Sequence, residues 1–171
     1  MHVDQKLEVY VTQPKRLLFV CLGNIVRSPL AEKMFAHLAS QAGMGDNFEV
    51  DSAGTAGYHV GEAPDSRMRA VGAEKGLVYS GQARQFSEND FQDFDLILAM
   101  DQNNYNNILA LAGSPNDQRK VHMMREFDPQ ANPYDGVPDP YYDGIEGFYS
   151  VYEIVERSCQ GLLDAIKAGK L

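Results

Sequence analysis

The stretch from Leu17 to Glu32, LLFVCLGNIVRSPLAE, constrains this chain more than any other. Leu17, Leu18, Phe19 and Val20 form an unbroken apolar run, the pattern of a short strand buried on both faces. Gly23, Asn24 and Ser28 then mark a tight loop. Ser28 suits the N-cap of a following helix, Pro29 its first position, and Glu32 a place near that of a capping box. Met34, Phe35, Leu38 and Ala39 follow as the residues that helix turns to a core.

Strand, phosphate-sized loop and helix therefore succeed one another within a few residues. The loop opens with Cys21 and closes with Arg27, giving C-x5-R followed by serine. A cysteine ending an apolar strand is by itself a small buried hydrophobe. A loop at a helix N-terminus, however, turns backbone N–H groups inward as an anion cradle, reinforced by the helix dipole. The same positive field favours thiolate over thiol. Arg27 can grip two oxygens of a phosphoryl group through its planar fork. A thiolate nucleophile under a bound phosphate is the chemistry this pattern serves.

A second stretch, Asn132 to Gly144, is irregular, with three prolines and two glycines. Pro138 and Pro140 bracket Asp139 and restrict its backbone, which holds the carboxylate in a fixed direction. Asp-Pro alone is a common turn device. Beside Cys21, Asp139 reads as a general acid and base.

Cys21 to Pro29 closely resembles the phosphate loop of low-molecular-weight protein tyrosine phosphatases, and Asp139-Pro140-Tyr141-Tyr142 resembles the general-acid loop of that family. Asp51 to Thr55 and Phe94 to Asp101 are similar too, so the resemblance runs from Lys15 to the C-terminus. It implies hydrolysis of phosphotyrosine through a phosphocysteine intermediate, with Cys21, Arg27 and Asp139 catalytic. It further implies that Leu22, Gly23, Asn24, Ile25, Val26, Arg27 and Ser28 bind the phosphate. Ser28 is expected to hydrogen-bond the Cys21 sulfur, while Asn24 and Ser52 support the loop. Tyr58, Tyr141 and Tyr142, with Ile25, would line the substrate pocket, and His59 stands beside Tyr58. Packing in the core is the other reading of Tyr142. Relatives tuned to phosphoarginine carry threonine near Ile25, so isoleucine favours an aryl phosphate. No metal or cofactor is implied.

The remaining elements fit one α/β domain from Lys15 to Leu171, after an extension of residues 1–14 expected to be poorly ordered. Phe48 to Asp51 alternates like a strand, and Asp95 to Met100 and Lys120 to Met124 read as further strands. Ser52 to Pro64 reads as a glycine-rich loop, either a pocket wall or plain surface. Helices are expected over Asp65 to Lys75, from Ser87 to Phe91, from Asp101 to Leu111, and from Gly147 onward. Met68, Val71 and Gly72, then Val151, Ile154, Val155, Cys159, Leu162 and Ile166, should face inward. The expected architecture is a three-layer sandwich, a four-stranded parallel sheet flanked by helices, with the phosphate loop after the first strand.

Two distant cysteines suit a reducing compartment, with the cytoplasm as the default, and no apolar run has the length of a membrane span. A net charge of −9 without a basic stripe argues against nucleic acid. It does not argue against a phosphate ester, since at a Debye length of about 8 Å most distant carboxylates are screened. The expected partner is a phosphotyrosine-containing protein or peptide, and the expected state a monomer or weak dimer.

Two other functions stay open at the level of sequence. One is a non-catalytic phosphopeptide-binding module; the other is a thiol-dependent arsenate reductase, for which only Cys159 could relay a disulfide. Val26 stands where many relatives carry a second cysteine, so peroxide-inactivated protein is expected to recover poorly with dithiols. Relatives often place histidine after the serine matching Ser80, where this chain has Gly81.

Overall fold

A computed structural model describes residues 13–171. The expected extension, residues 1–14, lies almost wholly outside these residues. Four strands, β1 (Lys15–Cys21), β2 (Phe48–Gly54), β3 (Leu96–Ala99) and β4 (Val121–Met123), form one parallel sheet in the order β2-β1-β3-β4. Six helices connect and cover them: α1 (Arg27–Gln41), α2 (Ser66–Glu74), α3 (Asp90–Asp93), α4 (Gln102–Leu109), α5 (Pro115–Arg119) and α6 (Ile145–Lys167).

β1 is central, and its side chains alternate between the two faces of the sheet. Leu17, Phe19 and Cys21 pack with α1, α2 and α6, whereas Leu18 and Val20 pack with Phe91, Ile108 and the opposite layer. An apolar strand without polar alternation thus becomes the middle of a three-layer sandwich, as expected. α6 lays its apolar stripe along α1, burying Val151, Val155, Cys159 and Leu162. Leu38 and Ile166, expected in the core, are only partly buried at its margin.

Several boundaries differ from expectation. Asp65 is the cap of α2 rather than its first residue, accepting from the N–H groups of Arg67 and Met68. α6 starts two residues early, α4 ends at Leu109 rather than Leu111, and Ser114 and Pro115 open the short helix α5, which is not among the expected helices. The first turns of α3 lie three residues later than Ser87, because Asp90 turns back to accept from the Ser87 N–H. β2 runs on through Gly54, so the expected glycine-rich loop begins later. None of the described helices is long and apolar enough to cross a membrane.

Candidate active site

Cys21 is the last residue of β1, and the chain leaves the sheet at its carboxyl edge, where parallel α/β sheets take ligands. Residues 22–26 curl back into α1, with Asn24 in a left-handed conformation at φ 57°. Asparagine tolerates this better than most side chains. The end of β2 presses against the curl: a Cβ on Gly54 would lie 2.7 Å from the Leu22 carbonyl oxygen, so only glycine fits there.

α1 begins at Arg27 with no side-chain cap, which corrects the expected cap at Ser28. The serine hydroxyl is recruited elsewhere. Its Oγ lies 3.0 Å from Cys21 Sγ and accepts from Asn24 Nδ2 at 2.8 Å. Glu32 likewise does not close a capping box; its Oε1 accepts from Ser52 Oγ at 2.7 Å. The first N–H groups of α1 thus have no side-chain oxygen competing for them, as an anion site requires.

The Arg27 side chain is 3% exposed and held at several points. Nη1 donates to Asp101 Oδ2 at 2.6 Å and to the Val137 carbonyl at 3.0 Å, while Nη2 reaches Asp139 Oδ2 at 3.5 Å. Asp101 follows β3, the strand beside β1, and its other oxygen caps α4 through the Asn104 N–H. Gly136 brings the Asp139 loop close: a Cβ there would meet Asp101 Cβ at 2.9 Å. The Val137 N–H donates to the Met100 carbonyl at 2.7 Å, and Arg125 holds the Gly136 carbonyl. Asp139 Oδ1 accepts from the Tyr141 N–H at 3.1 Å.

These elements enclose a cleft of about 170 Å³ with Cys21 and Arg27 in its lining and Asp139 beside them. Leu22, Gly23, Ile25 and Val26 line it from the loop side; Tyr58, His59, Tyr141 and Tyr142 line it from the outside. Tyr142 is 95% exposed, so the core-packing reading is excluded, and Tyr58 is 78% exposed. Asn24, Ser28 and Ser52 lie behind the loop, all buried. Among the sequence-derived residues, none falls outside this constellation.

The chain of Asp65 and Arg67 joins the two loops. The Asp65 N–H donates to the Ile25 carbonyl, and Arg67 donates to the Tyr141 carbonyl while stacking on its ring. Burial pushes the Asp65 carboxyl up, but hydrogen bonds from Arg67 outweigh it and leave the group below its ordinary value.

The model of the low molecular weight phosphotyrosine protein phosphatase family matches residues 16–170. The chain belongs to that family. A low molecular weight protein-tyrosine-phosphatase of Streptomyces coelicolor is 43% identical over 89% of this chain and 93% of its own length. A protein tyrosine phosphatase from Entamoeba histolytica superposes with a TM-score of 0.87 at 39% identity, covering 92% of this phosphatase and 99% of the other chain. An arginine phosphatase from Drosophila shares the fold at a TM-score of 0.81 and 32% identity, over 88% and 97% of the two chains.

In the sequence Asp101 stands as the last residue of the family-like segment from Phe94 and as a helix start, with no role at the site, and Val137, Arg67 and Glu32 carry no signal of a place there. A signal for Asp101 exists: it ends a buried strand, and neighbouring strands in a parallel sheet bring their carboxyl ends to one edge.

Proposed function

We propose that this phosphatase hydrolyses phosphotyrosine in proteins or peptides by a two-step displacement on Cys21. In the first step the Cys21 thiolate attacks phosphorus in line, forming the S–P bond as the P–O bond to the aryl group breaks. Asp139, protonated, gives its proton to the departing phenolate oxygen. In the second step the Asp139 carboxylate takes a proton from water, whose oxygen attacks phosphorus; the S–P bond breaks, releasing inorganic phosphate and restoring the thiolate. Arg27 and the N–H groups of residues 22–28 stabilise the charge on the equatorial oxygens. The hydroxyl of Ser28 donates to the sulfur and favours its anionic form.

One observation carries the reading: Cys21, Arg27 and Asp139 share a single cleft, with the Asp139 carboxylate 3.5 Å from the guanidinium that would hold the phosphoryl group. Ile25 and the tyrosine rims favour a flat ring by apolar contact and stacking. A phosphoserine is too short to bring phosphorus to the floor of such a cleft. Phosphoarginine would place a guanidinium against Ile25, where that side chain offers it no polar partner. Two free cysteines suit a reducing compartment.

The test is turnover of para-nitrophenyl phosphate by wild type, Cys21→Ser and Asp139→Ala, followed by phosphotyrosine, phosphoserine and phosphoarginine substrates. Wild type should turn over the aryl esters and Cys21→Ser should not. Wild-type turnover no greater than that of Cys21→Ser would leave only a phosphate-binding module.

A further inference from the structure

Behind the phosphate loop, Asn24 stands at the centre of a hydrogen-bond chain whose direction is fixed by chemistry. Its Oδ1 accepts from the Arg84 N–H at 3.0 Å. A backbone N–H only donates, so the amide oxygen must face it and the NH2 group must face the serines. Nδ2 then gives one hydrogen to Ser28 Oγ at 2.8 Å and one to Ser52 Oγ at 2.9 Å. Each serine oxygen, occupied in this way, sends its own proton onward. Ser52 sends it to Glu32 Oε1 at 2.7 Å. Ser28 has Cys21 Sγ at 3.0 Å and, farther off, the Ala53 carbonyl at 3.3 Å.

We propose that Glu32 is a positioning residue for the Cys21 thiolate, acting through Ser52, Asn24 and Ser28. This role presupposes the reading of Cys21 as nucleophile. A carboxylate only accepts, so Glu32 keeps the Ser52 proton turned away from Asn24 and leaves the Ser52 oxygen free to anchor the amide. With the amide held at both hydrogens, Ser28 is fixed as an acceptor from Asn24 and its proton stays on the sulfur. Without Glu32, the Ser52 hydroxyl is free to turn, Asn24 loses one of its anchors, and the Ser28 proton gains access to the Ala53 carbonyl.

Charge alone predicts the opposite sign. Removing a nearby negative charge favours a thiolate, whereas breaking the chain disfavours it. The other charged groups stay in place in either case. Lys33 pairs with the second oxygen of Glu32, Asp51 lines the same recess and pairs with Arg84, and Arg27, His59 and Asp139 face the sulfur's cleft.

Alkylation by iodoacetamide, a neutral reagent, reads the thiolate fraction without turnover. It is followed against pH in the full chain for wild type, Glu32→Ala, Glu32→Gln and Ser52→Ala, with the modified site located by mass spectrometry. On the acid limb, Glu32→Ala and Ser52→Ala should react about threefold or more slowly than wild type, and all rates should converge at alkaline pH. Glu32→Gln, whose amide oxygen still accepts from Ser52, should stay within about twofold of wild type. Unchanged or faster reaction of Glu32→Ala at acid pH, or slowing by one factor at every pH, would overturn the role. If Glu32→Ala does not fold, Ser52→Ala decides: slowing confined to acid pH supports the relay and an unchanged profile overturns it. A wild type with no aryl phosphatase turnover would count against the proposed function, while the alkylation profiles would still report on the relay.

Discussion

Asp101 holds Arg27 with one carboxylate oxygen and caps α4 with the other, at 2.6 Å and 2.8 Å. A single side chain therefore joins the orientation of the Arg27 guanidinium to the start of a helix on the far face of the sheet. Arg27 lines the cleft with its side chain already held at Nη1, so it loses little further entropy when an anion arrives.

The two duties of Asp101 separate by substitution. Asparagine is as good an N-cap as aspartate, so Asp101→Asn keeps the cap of α4 while weakening the charged grip on Arg27. A lost charge-assisted hydrogen bond of about 1.5–3 kcal/mol corresponds to a fall in kcat/KM of roughly ten- to a hundredfold. Asp101→Ala should show the same kinetic loss together with about 1 kcal/mol of destabilisation from the missing cap. Steady-state kinetics and thermal melts on the two variants check this. Equal melting and equal activity in wild type and Asp101→Asn would mean that the ion pair does nothing for catalysis.

Asp139 is bracketed by Pro138 and Pro140, its loop is pinned by Val137 and Gly136, and it contacts Arg27. As a general acid it should matter more as the leaving group becomes more basic. Asp139→Ala should lose about 10²–10⁴-fold with phosphotyrosine or phenyl phosphate and distinctly less with para-nitrophenyl phosphate, whose phenolate departs without help. A uniform loss across a series of aryl phosphates would assign Asp139 to binding instead.

Cys159 is fully buried on α6 beside the Ala31 carbonyl, and burial pushes its thiol well above the ordinary range. Alkylation of the folded protein near neutral pH should therefore be confined to Cys21. Val26 supplies no sulfur in the loop beside Cys21, so peroxide should carry Cys21 past sulfenic acid to sulfinic acid, and dithiols should restore little activity. Peptide mass spectrometry after peroxide treatment should show an oxidised Cys21 peptide. A Cys21–Cys159 disulfide with full reactivation would contradict this.

The fold was legible because β1 combines a two-sided apolar run with a turn and a helix start, and because α6 repeats its apolar stripe over most of its length. The site was legible where chemistry is concentrated in contiguous motifs, at Cys21 to Ser28 and Asp139 to Tyr142. What escaped lies between motifs. Asp101 reaches the site because β3 runs beside β1, and Arg67 because the start of α2 is tied to the Cys21 loop through Asp65 and Ile25, relations set by topology rather than by any local pattern. The misplaced cap at Ser28 has a related cause: local propensity favours serine at an N-cap, but Asn24 and Cys21 compete for the same hydroxyl and win. Glu32 was read from its spacing to Ser28, whereas the strand β2 brings it a different partner in Ser52.

Asp128 supports the Asp139 loop through Arg125. Its carboxylate is buried and bridges Arg125 and Arg157, and Arg125 in turn donates to the Gly136 carbonyl just ahead of Val137 and Asp139. Burial raises its proton affinity, but the hydrogen bonds from Arg157, the Gln130 N–H and Arg125 outweigh it, leaving the carboxyl below its ordinary value. A depressed folded-state value means the stabilisation is fully present above the unfolded value near 3.9 and is lost as the pH falls through the folded one. Asp128→Asn leaves Arg157 without its counter-charge and Arg125 with only Asp135, at 3.9 Å, and breaking a buried pair of this kind costs about 3–5 kcal/mol. The variant should melt well below wild type at pH 7, and the gap should narrow in acid as the native carboxylate takes up its proton. Denaturant melts of both proteins from pH 7 down through pH 3 measure it; a gap that stays constant across that range would place the loss in packing rather than in the charge.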